Sequence, residues 1–396
     1  MRILIAEDDP FSRKLLQRRL EKWGHEVVAA SDGKEAWDYF NKEDFQFVIS
    51  DWMMPGMDGL ELTRRIRSTP KNGYVYTILL TAKDRKEDLI QGMESGADEF
   101  LVKPVDIEEL KVRMRAGERI IQLEKSLAER NKALEIANQR MKKDLEAAAK
   151  IQESLLPKSK PKFSNVDIYW YFKPCDELAG DFLNFFKLDK NHLAFYVLDV
   201  SGHGVSAALL SVTLSRLLSA NPEESNLLVR KLKNSDEIEI VPPSEVANQL
   251  NRRFPIDLET GQYFTLLYGV LDVDEKHARV VSAGHPGMVY QPNEERARII
   301  ELPGLPIGIH EEIKYEENVF SMNPGERLFL YSDGLIEATN PRGEQFGKAR
   351  LVETLTKKRT LPIRETVNSV VNDLTNWREG EPFDDDVTLL GIEVKA

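Results

Sequence analysis

The sequence predicts an α/β chain in three parts: a doubly wound (βα)5 domain over residues 1–117, a helical coiled-coil linker over 118–157, and an α/β sandwich of antiparallel sheets flanked by helices over 158–396. Three observations carry this. In the first part short apolar runs alternate with amphipathic helical patterns, the signature of a parallel sheet covered on both faces. A polar stretch with a seven-residue apolar repeat follows. The remainder mixes strand-like runs, many joined by short turns, with four helical patterns and no regular alternation.

The five strands expected in the first part are Ile3–Ala6, Val27–Ala29, Phe47–Ser50, Ile78–Leu80 and Phe100–Val102. Glu7, Asp8, Asp51, Thr81 and Lys103 lie at or just past carboxyl ends of these strands, the edge at which open α/β sheets bind ligands. Three carboxylates gathered there repel one another unless a hard cation joins them, and the Lys103 ammonium suits an incoming phosphoryl group. An aspartate so placed can act as a nucleophile and carry an acyl phosphate. Taken singly, each residue has a plainer explanation as a helix cap or a turn.

In order, Glu7-Asp8-Asp9, Asp51 to Gly59, Thr81-Ala82 and Lys103-Pro104 resemble the CheY-like receiver domain of two-component response regulators. The resemblance implies that Asp51 is the phosphoacceptor. It also implies that Glu7 and Asp8 bind Mg2+ with Asp51 and the Met53 carbonyl, that Thr81, Phe100 and Lys103 transmit the phosphorylated state, and that a sensor histidine kinase is a partner.

The linker repeats Ile120, Leu127, Leu134, Met141, Ala148 and Leu155 at seven-residue intervals, with Leu123, Ala137 and Ile151 three places after members of that column. Arg130 and Asp144 interrupt the second column. The pattern reads as a marginal coiled coil, joining two chains as a homodimer and able to shift register or separate; the plainer alternative is one solvated helix between domains. The helical stretch as a whole runs from about Val105, and Pro157 stops it.

In the last part, strands are expected at Ile168–Phe172, Phe182–Leu188, Leu193–Leu198, Phe264–Leu271, Val280–Ala283, Leu328–Tyr331 and Val387–Ile392, and helices at Val205–Leu218, Ser244–Phe254, Lys348–Lys357 and Ile363–Trp377. Asp181, Asp199, Asp333 and the triplet Asp384-Asp385-Asp386 stand beside strands. Any one of these is ordinary turn chemistry. Together, with few histidines and no useful cysteine, they select oxygen-loving ions such as magnesium or manganese over zinc. Two such ions about 3.5–4 Å apart can activate water against a phosphate ester.

Gln152 to Pro157, Ala179 to Phe182, Leu198 to Leu209, Ala283 to Pro286, Pro306 to Gly308, Tyr331 to Ala338 and Asp385 to Thr388 are similar to the bacterial PPM-type serine phosphatases of the SpoIIE and RsbU type. That resemblance implies two Mn2+ or Mg2+ ions held by Asp181, Asp199, the Val200 carbonyl, Asp333 and Asp385, and hydrolysis of phosphoserine or phosphothreonine on a protein. Asp386 is an alternative to Asp385. Two positions depart from the pattern: Asn184 stands where many relatives have a second aspartate, and Ser201 where the eukaryotic branch has a proton-donating histidine. His203 and His285 read as loop histidines that order backbone. Residues 221–243 read as a charged surface insertion, irregular at its centre.

A formal charge of −12 argues against nucleic acid and anionic membrane as partners. Cys175 is the single cysteine, which excludes an intramolecular disulfide and fits a reducing cytoplasm. The expected function is a response regulator whose output phosphatase acts on a phosphorylated STAS-domain anti-sigma-factor antagonist. The competing expectation is a non-enzymatic adaptor that uses a phosphatase-like domain to bind a partner.

Overall fold

Runs of buried aliphatic residues form the parallel strands of the first unit in the computed structural model, which describes residues 1–69, 73–82, 93–158, 163–219, 226–231, 238–256 and 261–395. The chain divides into two compact units, Met1–Arg140 and Met141–Ala396. In the first, β1 (Arg2–Ala6), β2 (Glu26–Ala30), β3 (Phe47–Asp51), β4 (Tyr76–Thr81) and β5 (Glu99–Val102) pair in the order β2-β1-β3-β4-β5, all parallel. Every residue of β3 and β4 is buried, because helices cover both faces of a parallel sheet. Helices α1 (Pro10–Lys22), α2 (Gly33–Lys42) and α3 (Gly59–Ser68) start on aspartates: Asp9, Asp32 and Asp58 accept from the backbone N–H three residues on. The capping explanation therefore holds for Asp9 but not for Asp51, which ends β3.

Helix α4 (Ile107–Leu155) is one unbroken element of 49 residues. Asp106 caps it, accepting from Glu108 N at 2.8 Å and Glu109 N at 3.1 Å. It begins two residues after the expected Val105 and eleven before the expected linker, and its first turns belong to the first unit, where Leu110, Met114 and Ile121 pack into the core. Beyond them Leu123, Leu127, Leu134 and Met141 stand 54–62 % exposed. Leu155 leaves that column and packs on the core of the second unit.

The second unit holds two five-stranded antiparallel sheets. One runs β15-β12-β11-β8-β7, from β7 (Phe182–Lys187), β8 (His192–Val200), β11 (Phe264–Asp272), β12 (His277–Ala283) and β15 (Glu317–Ser321). The other runs β14-β13-β16-β17-β6, from β6 (Val166–Lys173), β13 (Met288–Gln291), β14 (Arg298–Ile300), β16 (Arg327–Tyr331) and β17 (Val387–Val394). Helices α5 (Val205–Leu217) and α6 (Pro243–Arg253) pack on the first sheet; α8 (Gly347–Lys357) and α9 (Ile363–Trp377) pack on the second, and the short α7 (Asp333–Glu337) sits against β17.

Within 221–243 the structure corrects the expectation of a surface insertion. β9 (Val229–Lys231) and β10 (Ile238–Ile240) pair antiparallel, and Leu227, Leu228, Val229 and Val241 are buried in the main core. Leu227 to Val229 and Val241 anchor the stretch; 221–225 and its centre, 232–237, lie outside the described residues.

Candidate functional site

Two groups of carboxylates stand at strand ends. In the first unit the order in which strands are added to the sheet reverses between β1 and β3, opening a crevice at their carboxyl edge. Glu7 and Asp51 are buried there, Asp8 is exposed beside them, and the three place ligand atoms within 4.8 Å of one another. Lys103, past the end of β5, reaches across the sheet edge: its Nζ lies 2.6 Å from Asp51 Oδ2 and 2.8 Å from Glu7 Oε2. Burial pushes the Glu7 carboxyl above its usual range, with the Asp51 charge adding to it against the pull of Lys103. Burial alone would lower the Lys103 pKa, but hydrogen bonds to Asp51 and Glu7 outweigh it and leave it raised. Thr81 is buried at the end of β4, and Phe100 on β5 packs half-buried against Trp52, Leu60, Leu79 and Ala97. Met53, two residues after Asp51, is 62 % exposed. Gly59 lets α3 close on this edge, since a Cβ there would sit 2.2 Å from the Asp51 carbonyl.

The second group gathers from four places in the sandwich. Asp199 lies near the end of β8, Asp181 just before β7, Asp333 in the first turn of α7, and Asp385 two residues before β17. Asp181 is buried and accepts from Thr388 Oγ1 at 2.5 Å. Burial and then the charges of Asp333, Asp385 and Asp386 push the Asp199 carboxyl up to about 7. Burial raises Asp181, Asp333 and Asp385 as well, and the charge of a neighbouring aspartate adds to each. No three of these carboxylates bring ligand atoms as close together as the Glu7, Asp8 and Asp51 group does.

Asp386 plays a different part. Its Oδ1 accepts from Cys175 N at 2.9 Å, and its Oδ2 from Gly180 N at 2.7 Å and Asp181 N at 3.2 Å. Both oxygens are thereby engaged in holding the loop that presents Asp181, while Asp385 remains exposed beside it. Gly334 permits the close approach of α7 to this turn, because a Cβ there would lie 2.2 Å from the Asp386 carbonyl.

The family model for stage II sporulation protein E (SpoIIE) matches residues 189–395, more than half of the chain. The chain belongs to the SpoIIE family. Residues 3–115 match the response regulator receiver domain, so this SpoIIE-family member also carries a receiver. Phosphoserine phosphatase RsbP of Bacillus subtilis (strain 168) is 26 % identical over 255 residues, 64 % of this chain and 58 % of RsbP. The chain thus spans less than two thirds of that relative's length. Response regulator MprA of Mycolicibacterium vanbaalenii is 41 % identical over 116 residues, covering 29 % of this chain and 49 % of MprA. The SiaA-PP2C domain of Pseudomonas aeruginosa superposes with a TM-score of 0.53 at 20 % identity, covering 65 % of this chain and 99 % of that domain, which places the SpoIIE domain in the PP2C fold.

The carboxylates of the SpoIIE domain fit a cation. Among the described residues no lysine, arginine or histidine pairs with Asp181, Asp199, Asp333 or Asp385, in contrast to the Lys103 ammonium of the receiver. Clustered carboxylates, with Asp181 buried, Asp199 and Asp333 half-buried and Asp385 exposed, that lack a counter-charge and offer oxygen donors alone match divalent magnesium or manganese.

Two polar residues frame this cluster. The side chain of Gln152, in the last turn of α4, is buried against the Asp181 loop: its Nε2 donates to Ala179 O at 2.7 Å and to Ser211 Oγ at 3.1 Å, and its Oε1 accepts from Ala179 N at 3.0 Å. A glutamine among Glu, Lys and Ala in a helical sequence gives no sign of its inward turn; the resemblance carried by Gln152 to Pro157 marks the stretch, and the fold shows the contact. His285, buried, faces the Tyr331 carbonyl through Nε2 at 3.0 Å and Thr265 Oγ1 through Nδ1 at 3.1 Å. Burial lowers its pKa to about 4. The neutral ring therefore donates from Nε2 and accepts at Nδ1, tying the β11 residue opposite Asp199 to the end of β16. His203 is exposed in the loop after β8, 3.5 Å from Asp176. Asn184 turns its Oδ1 to Phe185 N at 2.8 Å.

Proposed function

We propose that this chain is a response regulator whose receiver controls a metal-dependent protein phosphatase acting on phosphoserine or phosphothreonine. The observation that carries the reading is the convergence of Asp181, Asp199, Asp333 and Asp385 from four separate elements, with no lysine, arginine or histidine paired to them among the described residues. We assign residues 1–117 to the receiver, 118–157 to the linker and 158–396 to the phosphatase. In the receiver, Asp51 takes the phosphoryl group from a sensor histidine kinase, and Glu7 and Asp8, with the Met53 carbonyl, hold Mg2+ beside it. Lys103, already 2.6 Å from Asp51, neutralises the added charge, and Thr81 and Phe100 respond to it. In the phosphatase, Asp181, Asp199, Asp333, Asp385 and the Val200 carbonyl would hold two Mn2+ or Mg2+ ions. Such ions, when bound, polarise a phosphate ester and lower the pKa of water. The engaged carboxylate of Asp386 supports Asp385 as the ligand of the pair.

Control passes through α4. Its exposed apolar column supports pairing with a second copy, and Gln152 at its end grips the backbone next to Asp181. A change of helix pairing therefore acts on the placement of one ligand. The substrate is assigned by likeness to the partner-switching phosphatases as a phosphorylated STAS-domain anti-sigma-factor antagonist. The test is phosphate release from a panel of phosphorylated STAS proteins, with manganese, with and without beryllofluoride. Release that depends on manganese and stops with chelator is expected. No release from any phosphoprotein under either condition overturns the reading.

A further inference from the structure

We propose that a groove beside the aspartate cluster binds the substrate segment flanking the phosphorylated residue, and that it selects segments carrying lysine or arginine. The proposal rests on the phosphatase reading above and specifies its substrate class. The groove, of about 570 Å³, has Pro174, Cys175 and Phe383 in its lining and the carboxylates of Asp176, Glu177 and Glu381 along it. Lys173 is the one cationic residue of its lining among the described residues. Both walls run directly into the cluster, since Glu177 lies four residues before Asp181 and Phe383 two before Asp385. Cys175 N–H donates to the same Asp386 carboxylate that holds Gly180 and Asp181. Asp176 faces His203, in the loop that follows Asp199.

One wall is built to keep its shape. Arg378 is almost fully buried, lies 5.1 Å from the centre of the Phe383 ring, and donates to the carbonyls of Glu381 and Thr339 and to the Asp384 carboxylate. Glu177 and Glu381 are exposed and make no ion pair among the described residues. A doubly charged phosphate entering here meets the rim carboxylates as well as the aspartates of the cluster. An acidic or neutral flanking sequence leaves that repulsion uncompensated, whereas a neighbouring lysine or arginine offsets it and lays its aliphatic stem on the apolar lining. The rim therefore acts against wrong substrates as much as for right ones.

The test compares two phosphoserine peptides, one flanked by lysine and arginine and one by neutral residues, on the full chain with manganese. Fluorescence anisotropy measures binding, and phosphate release measures kcat/KM. The parent should favour the basic peptide by about tenfold, the scale of one or two screened charge pairs. In the Glu177→Lys/Glu381→Lys variant the ratio should fall to about one, and in the parent it should shrink with rising salt. Within-protein ratios are unaffected by a general loss of activity. Equal ratios in parent and variant, by both readouts, overturn the groove. Selective binding that the variant loses, without hydrolysis of either peptide, overturns the phosphatase reading and supports the groove.

Discussion

Replacing Asp199 by Asn should stabilise the metal-free protein while abolishing its phosphatase activity. Burial and the charges of Asp333, Asp385 and Asp386 raise the Asp199 carboxyl from 3.8 to about 7. At 1.36 kcal/mol per pH unit, that gap corresponds to about 4 kcal/mol lost from the metal-free fold once the group ionises. The sign follows from the proton count: between these two values the folded state holds a proton that the unfolded state has released, so stability falls as pH rises through the window. Asparagine carries no charge to lose. The metal-free variant should therefore be about 2–4 kcal/mol more stable than the parent at pH 8, allowing for a burden shared among coupled carboxylates, and within about 1 kcal/mol of it at pH 4. Hydrogen exchange of the β8 and β11 amides in EDTA measures this inside the SpoIIE domain. Saturating manganese should shift the comparison back towards the parent, because an ion that binds only the folded site adds its binding free energy to stability. An Asp199→Asn variant that is less stable than the parent at pH 8 without metal, or that turns over normally, refutes the assignment.

Four further outcomes are expected. Asp51→Ala should take no label from acetyl phosphate, as neither Asp9 nor Asp58, both engaged as helix caps, shares the Lys103 contact; retained label, read by phosphate-affinity gel, would place the phosphoacceptor elsewhere. Gln152→Leu keeps the volume but leaves the buried Ala179 N–H unpaired, at about 1–3 kcal/mol, and its C=O with only the 3.4 Å contact from Ser211 Oγ. Its activity should fall at least tenfold with the sheets intact by circular dichroism, and parent-like turnover would show the contact to be idle. Leu127→Gln with Leu134→Gln should yield a monomer by sedimentation that no longer responds to beryllofluoride, whereas a monomer responding as the parent does would reduce the helix to a tether. Asp333→Asn should remove most activity while leaving phosphorylation of Asp51 unchanged.

Strand positions were legible wherever a run is buried on both faces. β3, β4, β8 and β11 were each expected within two residues of their ends, because continuous apolar runs between turn residues leave little freedom. What escaped were β13, β14 and β15, together with the pairing of β9 and β10. These are three to five residues long, too short to establish a period, and exist because a neighbouring strand offers an edge. At the sites, chain order and residue type named the carboxylates but not their separate duties. In Asp384-Asp385-Asp386 all three are chemically alike, and only the three backbone N–H groups aimed at Asp386 distinguish it. The long helix was legible from end to end, within two residues of Val105 to Pro157, but not the point at which it passes from core to linker, since a helix that serves first as one and then as the other keeps the same local propensity throughout.

Within the proposed metal set, the four aspartates differ in how firmly the fold holds them, and this decides where control can act. Asp199 belongs to a strand paired along its whole length with β11 and flanked by β7 on its other side. To move it would disrupt the centre of the sheet. Asp333 is fixed by the first turn of α7, where its Oδ1 accepts from Gly334 N at 2.9 Å. Asp181 precedes β7 on a loop held from two sides, by the Asp386 carboxylate and by Gln152. Of these two supports, Asp386 is local to the cluster, whereas Gln152 stands at the end of a 49-residue helix. Helix α4 can thus move one ligand while the rest of the site stays in place, so a signal need only be large enough to exchange a few hydrogen bonds, about 1–3 kcal/mol each when the freed group stays buried.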